Sequence, residues 1–82
     1  MPVPVARLKK SFSSALGIPE STDFSSLQYQ GIPEWDSVAH LQLVSVLESE
    51  FDIMLETEDV LDLSSFEKAK SILGKYGVEF DA

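Results

Sequence analysis

Apolar residues return every three to four positions in several stretches of this chain, and turn-forming residues separate those stretches. Val5, Leu8, Phe12 and Ala15/Leu16 step along one face, the period of an amphipathic helix. Pro4 suits a first helical turn, where its missing N–H costs nothing. Gly17, closely followed by Pro19, is a stop signal. Together these predict a first helix over about 4–16.

Residues 17–36 break the pattern. They combine Gly17, Pro19, Gly31 and Pro33 with several Ser, Thr and Asp residues, yet also carry Ile18, Phe24, Leu27, Tyr29, Ile32 and Trp35. Such turn chemistry with so many large apolar side chains predicts a long loop laid over a core, with one short helical turn near Ser25–Gln28. The strongest helix is expected over 37–51. Stepping about 100° per residue, Leu43, Val44, Val46, Leu47 and Phe51 share one side, with His40 inside that arc. Val38, Gln42, Ser45, Glu48 and Ser49 face the other way, and Leu41 falls at the boundary. Asp36 precedes this helix and can cap its free N–H groups.

Asp52 to Leu55 leave that helix. Thr57 can cap a short helix over about 57–62, and Ser64 or Ser65 a last one over about 65–75, whose apolar face holds Phe66, Ala69, Ile72 and Leu73. Gly77 closes the pattern, and residues 76–82 read as a loose tail. No segment alternates as a strand does. The expected fold is all-α: a small four-helix bundle, three main helices plus one short helix, with a long loop between the first two.

Composition narrows the function classes. The 82 residues suit a single domain with little room for a deep enzyme cleft. Cysteine is absent, which removes disulfides and thiolate metal sites; any thiol the function needs must come from a prosthetic group. No stretch approaches the roughly 20 apolar residues of a membrane span, and the N-terminus lacks the apolar run of a signal peptide. A cytoplasmic, monomeric protein is the expectation. Net charge is −8, and 12 of the 14 acidic residues lie between Lys10 and Lys68, where no basic residue falls. Such a field disfavours nucleic acid and steers the chain toward basic patches on partner proteins, besides keeping a small domain soluble.

Enzyme motifs are scarce. One His and no Cys argue against a metal site. Glu56, Glu58, Asp59 and Asp62 lack the spacing and central Gly of a calcium loop. No Gly-rich phosphate cradle is present. Asp36, Ser37 and His40 suggest a hydrolytic triad by residue type, but neither a nucleophile elbow nor an oxyanion hole accompanies them. The chain is expected not to be an enzyme.

What remains is a serine in the first turn of the best helix. The run Glu34-Trp35-Asp36-Ser37-Val38-Ala39-His40-Leu41, continuing through Leu47-Glu48-Ser49-Glu50-Phe51-Asp52-Ile53, resembles the phosphopantetheine-attachment region of acyl carrier proteins. That family's signature is Asp-Ser-Leu followed by a helix ending in Leu-Glu-x-x-Phe and an Ile. The likeness, with its order of helix, long loop, helix, short helix and helix, covers roughly residues 4–75.

The resemblance implies that Ser37 carries 4′-phosphopantetheine, delivered from coenzyme A by a phosphopantetheinyl transferase, with Asp36 helping to present it. It implies acyl cargo held as a thioester and shown to acyl-transferring, adenylating or ketosynthase-type enzymes with basic patches, in fatty-acid, polyketide or related lipid biosynthesis. Val38, Leu41, Gln42 and Glu48 would meet those partners. Leu41, Val44, Val46, Leu47, Leu63, Phe66 and Ala69 would either line an acyl pocket or serve as ordinary core. Departures from the family pattern are Ala39, Gln42 and Ser49 where acids are common, Val38 for Leu, and Trp35 before the Asp. They point to a specialised carrier with dedicated partners. An aminoacyl or peptidyl carrier, for instance of D-alanine, is the near alternative, and a helical adaptor domain that only binds proteins the remote one.

Overall fold

The computed structural model describes residues 3–80. The apolar period of the first segment yields α1 (Val5–Leu16), starting one residue after Pro4, which sits at the cap with ψ 131°. Gly17 ends it in the left-handed region (φ 69°) and donates its N–H to the Ser13 carbonyl at 2.9 Å, a conformation that costs glycine little. α2 (Ser37–Phe51) is capped by Asp36, whose Oδ1 accepts from the Ala39 N–H at 2.8 Å. It ends at Asp52, also left-handed (φ 52°). Glu48 secures that exit: its carbonyl accepts from Ile53 N–H and its carboxylate from Leu55 N–H.

α3 (Thr57–Asp62) and α4 (Phe66–Lys75) complete an all-helical bundle, with no strand among the described residues. Thr57 does not cap α3; it is the first helical residue, and Glu56 takes the cap position without a side-chain bond. Ser65, not Ser64, caps α4, its Oγ accepting from Lys68 N–H at 3.0 Å. The helical turn of the long loop is a 3₁₀ turn at Phe24–Ser26, slightly earlier than expected because Asp23 caps it through the Ser25 N–H.

The core is one cluster, and Phe12 sits at its aromatic centre, with ring centroids 5.0 Å from Phe66, 5.6 Å from Trp35 and 6.3 Å from Phe24. Edge-to-face pairs of this kind add to the burial itself. Two of those rings belong to the loop, whose Ile18, Phe24, Leu27 and Trp35 are all buried. The loop is fastened as well as buried, because Tyr29 N–H donates to the Ser64 carbonyl at 2.8 Å.

The tail is not loose through residue 80. Tyr76, Val78 and Phe80 pack against the core. Phe80 stands edge-on to Phe51 at 5.7 Å, and Val3 N–H donates to the Glu79 carbonyl. Apolar residues beyond Gly77 find a surface that the helical period does not reveal. The rest of the expected tail, 81–82, lies outside the described residues.

Candidate functional site

Ser37 is the first residue of the longest helix, and its side chain is exposed. Its hydroxyl has no hydrogen-bond partner among the described residues, and neither do the backbone N–H groups of Ser37 and Val38. The reason is local: the first N–H groups of a helix have no carbonyl upstream to bond. Asp36 satisfies the Ala39 N–H and leaves those of 37 and 38 facing outward. An exposed hydroxyl beside free N–H groups at the positive end of a helix suits a bound phosphate diester.

The strand of chain feeding Ser37 is stiffened. Gln30, in the left-handed region (φ 62°), donates its N–H to the Trp35 carbonyl at 3.0 Å. Gly31 N–H donates to the Gln28 carbonyl, and Trp35 N–H to the Ile32 carbonyl. Trp35 is fully buried, and its indole Nε1–H donates to His40 Nδ1 at 3.0 Å. His40 Nε2 lies 2.8 Å from the Val60 carbonyl. An indole N–H can only donate, so Nδ1 must accept and Nε2 must carry the proton that Val60 receives. Val60 lies in the last turn of α3, where carbonyls lack partners along their own helix. His40 thus joins the loop, α2 and α3, and neither of its nitrogens is left for Ser37.

The outer face of α2 is open. Val38 and Leu41 are each 65% exposed, Gln42 is exposed, and Met54 and Leu61 are exposed apolar side chains on the following loop and α3. Glu48, expected among these partner-facing residues, is half-buried and has a carboxylate oxygen on Leu55 N–H at 2.8 Å, so it holds the chain's own turn.

The residues expected around an acyl pocket divide into groups. Val44, Leu47, Leu63, Phe66 and Ala69 come together in the close-packed core. Leu41 is largely exposed, off the buried face of α2. Val46 is half-buried at a surface depression shared with Arg7, Lys10 and Ser14 of α1, not with α4.

A second polar cluster has no counterpart in the sequence reading. Asp59 is the one buried residue of α3. Its carboxylate accepts from Lys75 Nζ and from the Tyr76 hydroxyl, and that hydroxyl in turn accepts from Glu56 N–H at 3.1 Å. The Lys75 bond first, then the Tyr76 bond, hold the Asp59 carboxyl below its ordinary range. The same carboxylate raises Lys75 and Tyr76 above theirs. The sequence offers one signal for this trio, the acidic first turn of a short helix, but not its partners.

Among the described residues, no helix is long and apolar enough to cross a membrane, and no three His, Cys, Asp or Glu residues gather as a metal site. No protein-family model and no curated protein sequence matches this chain.

Proposed function

We propose that the chain is a carrier protein of the acyl carrier type, modified on Ser37. The observation that carries this reading is the exposed, unpartnered Ser37 hydroxyl at the start of the longest helix, within Asp36-Ser37-Val38. Modification forms a phosphodiester at Ser37 Oγ as the pyrophosphate bond of coenzyme A breaks. The adenosine bisphosphate leaves, and the serine proton passes to a separate transferase. The arm supplies the thiol that the polypeptide lacks, which holds an acyl group as a thioester.

The chain's own residues perform three tasks in this reading. The N–H groups of Ser37 and Val38 and the helix dipole favour the diester's negative charge, by about 0.3–1 kcal/mol. Asp36 fixes the first turn and so the direction of Oγ. Val38, Leu41 and Gln42 offer an accessible face to enzymes that act on the cargo. Tethering then makes each encounter with such an enzyme effectively intramolecular once the carrier docks.

The test is intact mass after incubation with coenzyme A and a broad-specificity phosphopantetheinyl transferase. The wild-type chain is expected to gain one phosphopantetheine, and Ser37→Ala none. A folded wild-type chain that gains no mass removes the reading. Mass spectrometry of chain recovered from its source then separates acyl from aminoacyl cargo.

A further inference from the structure

This inference rests on the carrier reading and concerns where an attached arm lies. We propose that the turn 30–36 is a seat for the first, uncharged stretch of a phosphopantetheine arm on Ser37. A depression of about 440 Å³ is lined by Gln30, Gly31, Ile32, Pro33, Trp35 and Asp36. Its last residue is the covalent neighbour of Ser37, so an arm leaving Oγ reaches it without crossing any other surface. The two other described depressions, of about 260 and 270 Å³, are lined by α1 with the 3₁₀ turn and α4, and by α1 with the later part of α2. Neither includes Asp36 or any other residue adjoining Ser37.

The lining chemistry matches the occupant. Next to its phosphate the arm carries two methyl groups on one carbon, then a hydroxyl and amides. Ile32 and Pro33 provide apolar surface for the methyls, above the fully buried Trp35. The Gln30 side chain is exposed and has no partner among the described residues, so its amide is available to an amide of the arm. Asp36, the one charged lining residue, already has an oxygen on the Ala39 N–H. The seat therefore takes a neutral chain, while the phosphate remains with the N–H groups of α2.

The seat is also formed before anything occupies it. Three backbone hydrogen bonds, Gln30 to Trp35, Gly31 to Gln28 and Trp35 to Ile32, tie the turn to itself. Buried Trp35 is fixed from below by His40. Little ordering cost remains to be met on docking. The interior offers no rival site in this conformation, because Leu47, Leu63 and Ala69 are at most 1% exposed.

The test uses ¹⁵N-labelled chain converted with coenzyme A and transferase, with conversion verified by intact mass. The expected result is amide shifts at Gln30, Gly31 and Ile32 and at the Trp35 indole N–H. Nuclear Overhauser contacts should run from the arm's methyls to Ile32 and Pro33. Trp35 is the one tryptophan in the sequence, so its fluorescence should change on conversion in wild type and not in Ser37→Ala. Ile32→Glu should abolish the contacts while conversion stays complete; Pro33→Glu, at an exposed position, replaces it if that variant fails to fold. Complete conversion with contacts only to Leu41 or Leu61, or with no contacts, overturns the seat and leaves the carrier reading standing. Absence of any mass gain in folded protein overturns both.

Discussion

α3 is held from two sides by anchors of opposite kind, set on adjacent residues. On one side the Val60 carbonyl receives a neutral hydrogen bond from His40, backed by buried Trp35. On the other, the Asp59 carboxylate takes charged and phenolic donors from Lys75 and Tyr76. A six-residue helix is too short to persist alone in water. Its place therefore depends on both anchors. The neutral anchor ends on Trp35, which is fully buried, so its indole N–H cannot turn to water when left unpaired. The charged anchor opens onto solvent, since the Lys75 side chain is 61% exposed. Loss of a partner should therefore cost more at the neutral anchor, while pH should act through the charged one.

The largest effect should come from Trp35→Ala, which removes both a filled volume and the donor to His40. Emptying such a site costs about 3–5 kcal/mol, a large share of the roughly 4–12 kcal/mol expected for a domain this size. Urea unfolding should show the midpoint collapse. A shift no larger than that of a surface substitution would contradict the packing around Phe12. His40→Ala comes next. It leaves the indole N–H and the Val60 carbonyl unpaired, at about 1–3 kcal/mol. A double-mutant cycle with Trp35→Phe should return a coupling of about 0.5–3 kcal/mol; additivity would mean that the two rings do not act together.

Asp59→Asn should cost less than His40→Ala, because Lys75 can stay hydrated, and should lower the melting temperature by a few degrees at neutral pH. Its sharper signature is in the pH profile. Asp59 in the folded chain titrates below its ordinary 3.8, so the unfolded chain binds the proton more readily. The stability it contributes is fully present above about 3.8 and disappears as pH falls through the folded value. Lys75 and Tyr76 are raised above their ordinary 10.5 and 10.0. What they contribute is present below about 10 and is lost as pH rises through their folded values. Asp59→Asn should flatten both edges of the thermal-stability profile relative to wild type. Unchanged edges would assign the pH dependence to other groups.

The smallest effect should come from Arg7→Ala. The guanidinium pairs with Glu50 at 3.0 Å and lies 5.2 Å from the centre of the Phe51 ring. Both charged side chains are nearly half exposed, and such pairs contribute about 0.2–1 kcal/mol. Thermal melts with and without added salt check this, and a loss as large as that of His40→Ala would show that the pair locks α1 to α2.

The candidate site was legible because its information is local. Asp36 caps the same turn that presents Ser37, and both roles follow from neighbours within three residues. The helices were legible for a similar reason, since their periods and end signals lie along a continuous stretch. Trp35 was visible only as a departure before the Asp; its burial and its bond to His40 needed the loop to fold back. His40 was placed correctly on the inner arc of α2, but Val60 is twenty residues further on, beyond any period or cap. Tyr76 was assigned to a tail because the helical pattern stops there, although its hydroxyl reaches back to Asp59. Glu48 read as an outward acid, and only the turn at Asp52 brought Leu55 N–H to it.

The amino-acid order alone determined which segments are helical, where most of them begin and end, and which serine stands exposed at a helix start, because each depends on interactions spanning four residues or fewer. Only the tertiary structure decided which side chains complete the anchors of α3, how the loop forms a depression beside Ser37, and that the chain packs on through residue 80. Those pairings join groups far apart in sequence. Chain closure and core packing select them, and neither leaves a local mark.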